Sequence, residues 1–183
     1  MTGFPPEAQL QWDLTLARFR EWLQGDVFTL HWQLIVALFL LTTWLWWKKV
    51  DRSRLAEMVL YSAVVIIFVI VLDQLGEELT LWYYPVAVLP LFPPAEAVNV
   101  SCLPLVYMLI YQHTKHWKTF ILATLVMSIL FCFVCEPIFV LGGAYVPLKW
   151  EYWYGLPVYF LIGLAARLII RRIYRHPSEK RPV

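Results

Sequence analysis

Residues 55–72, LAEMVLYSAVVIIFVIVL, form an almost unbroken apolar run whose one charge, Glu57, lies near its start. Wound as a helix it spans about 27 Å, close to the hydrocarbon thickness of a bilayer at about 30 Å. In water such a helix would need a larger protein to cover every side, and this chain of 183 residues instead repeats the problem. Further apolar runs cover residues 30–47, the segment from Pro93 and Pro94 to about Gln112, and residues 117–136 and 154–172. With 61% hydrophobic and 15% charged residues, the chain lies well beyond the roughly 45–50% apolar content of soluble domains. In lipid every backbone polar group must be satisfied within the segment, so these runs are expected as helices. The predicted fold is all-α, an integral membrane bundle of five transmembrane helices.

Three regions follow: an N-terminal segment 1–28, the helical domain 29–175 and a basic tail 176–183. Between Pro6 and Gln24, Trp12, Leu16, Phe19 and Leu23 recur at helical spacing, with Asp13, Arg18, Arg20 and Glu21 elsewhere on the wheel. This predicts an amphipathic helix lying at the interface, with lipid as its partner. No basic stretch followed by an apolar core opens the chain, so a cleavable leader is not expected. Cys102, Cys132 and Cys135 all lie in apolar runs, which argues against an extracellular disulfide framework. The net charge of +2 gives no reason to expect nucleic acid as a partner.

Charge placement predicts orientation. Lys48, Lys49, Arg52 and Arg54, then Lys115 and Lys118, then six basic residues from Arg167 onward fall on one side. Arg18, Arg20 and Lys149 fall on the other, twelve against three. The C-terminus is therefore expected in the cytoplasm and the N-terminus outside. Arg167 lies within the last run, where its long stem can snorkel toward the cytoplasmic face.

Between the second and third runs the chain is apolar but holds Pro85, Pro90, Pro93 and Pro94. About 14 residues from Leu79 to Phe92 are too few for a span of about 20. This Pro-rich stretch is predicted to be re-entrant or interfacial, because irregular backbone at membrane depth must be buried in protein or line a wet cavity. Pro104 is expected to kink the helix that follows.

Polar groups converge on the outer end. The second span is expected to finish at Asp73, the third to begin near Glu96 and the fourth to finish at Glu136, which puts three carboxylates at similar depth. Glu96, Asn99, Leu103 and Tyr107 fall on one helical face. Ser128, Cys132 and Glu136 form a second stripe at i, i+4, i+8. With Trp82 and Tyr84 before the prolines, and Trp153 before the last run, they compose a candidate outer pocket: Asp73, Trp82, Tyr84, Glu96, Asn99, Tyr107, Glu136 and Trp153. Acids at membrane depth usually face the bundle interior and carry function. The bland alternative is that these residues are interhelical hydrogen-bond glue.

No glycine-rich phosphate loop, zinc-protease helix or serine-nucleophile motif occurs, and no cofactor or metal is expected. The CxxC of Cys132 and Cys135 reads as small apolar packing.

The order of an acid ending one span, the Trp82, Tyr84, Pro85 turn, a helix with Asn99, Tyr107 and Tyr111, a Glu ending the next span and a Trp-rich loop resembles a family of small multipass membrane proteins of spore-forming Gram-positive bacteria. The likeness covers residues 55–175 and implies a bacterial plasma membrane without implying an activity. Pro94-Ala95-Glu96, with Asp73 and Trp82, more weakly resembles the Pro-x-Glu-acid signature of membrane-embedded lycopene cyclases. There, paired carboxylates are expected to protonate an isoprenoid double bond. Here Ala97 stands in the place of the second acid.

Three functions stay open: a non-enzymatic protein whose outer pocket binds a lipid, an isoprenoid, another small molecule or a protein partner; an isoprenoid or lipid enzyme using Glu96 and Glu136; and a proton-coupled carrier. A homo- or hetero-oligomer in the membrane is compatible with each.

Overall fold

The structure is a computed structural model that describes residues 5–90 and 97–174. Helix α1 (Pro6–Glu21) begins with proline in its first turn, where the missing N–H is not needed, and buries none of its side chains. A wider π-helical turn at Trp22–Asp26 ends it. Helix α2 (Leu30–Lys49) is capped by Thr29, whose side chain accepts from the Trp32 amide. Helix α3 (Leu55–Glu78) follows a short 3-10 turn at Arg52–Arg54. A π-helical turn at Ala97–Cys102 leads into α4 (Leu103–His113). Helix α5 (Trp117–Leu130), a π-helical turn at Phe131–Cys135 and α6 (Glu136–Leu141) form one long rod. Helix α7 (Tyr152–Tyr174) completes the bundle.

Among the described residues four helical stretches are long and apolar enough to cross a membrane: Leu30–Lys49, Arg52–Glu78, Trp117–Leu141 and Tyr152–Tyr174. They fit a multipass membrane protein. The third run of the sequence appears as 97–113, packed against α2, α3 and α5.

Two helix ends differ from the sequence expectation. Helix α3 does not stop near Asp73 but continues to Glu78. The buried stripe Met58, Tyr61, Val65, Val69 runs on through Asp73 and Gly76 at helical spacing, so the acid belongs to the packed face. Likewise the rod containing α5 continues past Glu136 to Leu141. Pro137 cannot donate to the ladder and its ring crowds the carbonyl four residues back. The π-helical turn immediately before Glu136 takes up that conflict. Pro104 stands in the same relation to the turn at Ala97–Cys102.

The core lies where α3, α4, α5 and α7 meet, around Tyr61, Val65, Tyr107, Met108, Phe120 and Ala166. Helix α2 is peripheral: Thr42 is its one buried residue, sharing a 2.6 Å hydroxyl contact with Ser101. Trp46 adds an indole hydrogen bond to Ser62 Oγ at 3.0 Å.

The Pro-rich stretch is non-helical through residue 90. Strand β1 (Trp82–Tyr83) pairs antiparallel with β2 (Val146–Pro147), Trp82 opposite Pro147 and Tyr83 opposite Val146. The amides of Leu148 and Lys149 both donate to Leu81 O at 2.9 Å. Farther along, the indoles of Trp22 and Trp32 both donate to Val88 O, at 3.1 and 3.2 Å. The stretch is thus tied to α1's end, α2 and the loop before α7.

Candidate functional site

A cavity of about 480 Å³ lies between this loop cover and the adjacent ends of the helices. Its walls are mainly apolar, with Leu34 and Leu38 from α2, Val69 and Leu72 from α3, and Val158 and Ile162 from α7. Polar groups enter at a few points only: His31, Asp73, Trp82, Tyr84, Asn99, Glu136, Tyr145, Trp150 and Tyr159.

Close packing brings these groups in. Gly76 leaves room for the ring of Trp82, since a Cβ there would lie 1.9 Å from the indole. Trp82 in turn meets Trp150 edge-on at 4.8 Å between ring centroids. On the opposite wall a Cβ at Gly155 would lie 3.0 Å from Glu136 Oε1 and 3.1 Å from Cys132 Sγ. Glycine at that position lets α7 approach the acid closely.

Each carboxylate is held by one tyrosine. Tyr84 donates to Asp73 Oδ1 at 2.6 Å and Tyr159 donates to Glu136 Oε1 at 2.9 Å. Burial first, then the neighbouring Asp73 charge, holds the Tyr84 hydroxyl well above its ordinary pKa, so it stays a donor. Tyr145 is raised by burial and then by Glu136 and Asp73 together, so its hydroxyl feels both acids.

Among the described residues the second oxygen of each acid has no partner. Asp73 is 8% exposed and Glu136 7%, yet Asp73 Oδ2 and Glu136 Oε2 are buried without a hydrogen bond. So are Trp82 Nε1 and Asn99 Nδ2, with Asn99 5% exposed. The Trp82 and Asn99 donors lie near enough to Asp73 to act on its charge, but neither meets hydrogen-bond geometry. Two unused acceptors and two unused donors therefore belong to residues that line one mainly apolar cavity. An unsatisfied buried polar group costs about 1–3 kcal/mol, so an occupant that satisfies them is favoured.

Of the residues predicted for this pocket, Asp73, Trp82, Tyr84, Asn99 and Glu136 line the cavity. Tyr107 does not: it is fully buried deeper in the bundle, and its hydroxyl donates to Tyr159 O at 2.6 Å. Trp153 is 59% exposed and packs on Tyr154 outside the cavity. Glu96 lies outside the described residues. Sequence reasoning missed Gly76, Tyr145, Gly155 and Tyr159. Gly155 and Tyr159 carry a readable signal, since they sit four apart and continue toward the buried Ile162, Gly163 and Ala166 of α7. Tyr145 carries none, because a two-residue strand pairing leaves no periodicity.

Among the described residues no group of three histidine, cysteine or carboxylate side chains is placed to hold a metal ion. The three cysteines are free. No protein-family model, curated protein or solved structure matches the chain.

Proposed function

We propose that this chain is a non-enzymatic multipass protein of a bacterial plasma membrane whose outer cavity binds an amphiphile with a hydroxyl head, such as an isoprenoid or other lipid alcohol. One observation carries the reading: among the described residues Asp73 Oδ2, Glu136 Oε2, Trp82 Nε1 and Asn99 Nδ2 all lack partners, and all four residues line one mainly apolar cavity. A hydroxyl donates to a carboxylate and accepts from an indole or amide, matching both halves of that set. An alkyl or prenyl chain suits the remaining walls, and the volume falls within the range of about 300–1,000 Å³ typical of ligand pockets. On a five-span reading that counts 97–113 as part of the third span, the excess of Lys and Arg at one end favours an external N-terminus and a cytoplasmic C-terminus.

Enzyme chemistry and proton transport are the other classes. For an enzyme, Asp73 and Glu136 are the described acids that line the cavity, and Glu96 would join them as a further candidate. For a relay, Tyr107 ends on a backbone carbonyl, which passes no proton onward.

The test is to extract the protein from membranes in mild detergent and identify the lipids that stay bound by mass spectrometry. A lipid alcohol should be enriched over the bulk extract. Asp73→Asn and Glu136→Gln should each weaken retention about 3- to 10-fold, the worth of one hydrogen bond. Absence of any enriched hydroxyl lipid, or enrichment in both variants unchanged from the parent protein, would contradict the proposal.

A further inference from the structure

At the opposite end of the bundle a second cavity, of about 360 Å³, opens between the start of α3, the end of α4 and the end of α7. Arg54, Glu57, Tyr111, Lys115, Arg167 and Arg171 are among its lining residues. Four cationic side chains thus face one carboxylate, and that carboxylate is already engaged. Arg54 reaches Glu57 through Nε at 2.9 Å and Nη2 at 2.8 Å, and the Tyr111 hydroxyl donates to Glu57 at 2.6 Å. Arg54 with Glu57 is the sole ion pair among the described residues.

Arg167 reaches toward the turn after α4, where its guanidinium stays buried and does not emerge into solvent. It is 3% exposed, with its guanidinium carbon 4.2 Å from the Phe120 ring centroid, 5.0 Å from that of Trp117 and 5.7 Å from that of Tyr111. Nη1 donates to Thr114 Oγ1 at 3.2 Å and Nη2 to Lys115 O at 3.0 Å, while Nε is buried without a partner. Aromatic faces contribute about 0.5–2 kcal/mol to such a cation. They supply no counter-charge, and buried charges are ordinarily paired. Arg171 stands beside it, 5.5 Å from the Trp117 ring, again with no carboxylate partner among the described residues.

We infer that this cavity binds a phosphate group, with Arg167 Nε, Arg171 and Lys115 as its donors. A guanidinium fork matches phosphate oxygens in shape and charge. The cavity lies where α3 begins, α4 ends and α7 nears its end, and the ends of membrane-spanning helices fall near the headgroup region of a bilayer. Basic pockets between helices at that depth suit anionic headgroups. The same chemistry fits a soluble phosphate ester, so the experiment must separate the two. The inference stands independently of the outer cavity and its ligand.

The full chain in phosphatidylcholine-containing micelles is titrated with phosphatidylglycerol, and separately with inorganic phosphate, while native mass spectrometry counts retained lipid. Phosphatidylglycerol should be retained over phosphatidylcholine. Arg171→Gln and Lys115→Gln should each weaken that retention about fivefold, the equivalent of about 1 kcal/mol per cation. Retention that persists in millimolar phosphate assigns the site to the lipid. Displacement by phosphate, with a thermal shift from phosphate alone, assigns it to a soluble ester. Equal retention of the two lipids with no response to phosphate would overturn the inference, as would unchanged retention in the Arg171→Gln, Lys115→Gln double variant. Because Arg167→Gln removes a buried anchor and can unfold the bundle, the test rests on the two more accessible cations.

Discussion

A Cβ built at Gly76 would lie 1.9 Å from Cζ2 of Trp82 and 2.1 Å from Cη2, both atoms of a rigid ring. Alanine is favoured over glycine inside a helix by about 1 kcal/mol, whereas overpacking of this kind costs about 1–3 kcal/mol. The clash should win, because the ring is fixed edge-on against Trp150 and its backbone is paired in the ribbon. Gly76→Ala is therefore expected to lower stability by about 1–2 kcal/mol. The thermal midpoint in detergent reads this directly, and a raised midpoint would mean that the ring swings aside freely. Asp73 was the residue most legible in the sequence, since an acid amid apolar residues stands out on any hydropathy reading. Its depth was less legible. Averaging ends a span at the first acid, while the stripe from Met58 through Val69 to Asp73 shows the helix carrying it onward. Tyr159, which holds Glu136, was legible only as part of the α7 face it shares with Gly155, while the acid it meets on another helix was not.

The helices were readable from their apolar runs because lipid imposes length and composition together. The cover over the cavity was not. Its prolines announce irregular backbone, but the partners that fix it come from far away: Trp22 and Trp32 on Val88, and the loop before α7 on Leu81 and Trp82. Nothing local in residues 81–90 encodes those pairings. The double variant Trp22→Phe, Trp32→Phe keeps the aromatic bulk and removes both indole donors, each worth about 0.5–1.5 kcal/mol. Hydrogen exchange of the described cover, residues 84–90, should accelerate while the α5 and α7 cores keep their protection. Unchanged exchange in the cover would show that these indole bonds do not anchor it.

Across the whole molecule the usual polarity of a soluble protein is inverted. Large apolar side chains such as Leu40, Ile67, Leu122 and Leu161 point outward, while Asp73, Asn99, Thr124, Ser128, Glu136 and Arg167 are buried. In water this surface would aggregate; in lipid it is the expected solvent-facing layer. Among the described residues, the two acids with the unused donors Trp82 Nε1 and Asn99 Nδ2 lie at one end, and the Arg167 guanidinium with its unpartnered Nε lies at the other. Sequence alone suggested the acidic end by helical wheels but could not say which acids meet, since wheels give faces and not neighbours. The most direct measurement is thiol crosslinking in native membranes of Asp73→Cys with Glu136→Cys, after Cys102, Cys132 and Cys135 have been replaced. A bifunctional reagent short enough to fit within the cavity should link the two positions efficiently, and a lipid alcohol should slow the reaction. No crosslink, in a variant that still inserts and folds, would contradict a shared cavity and leave the two acids as separate structural groups.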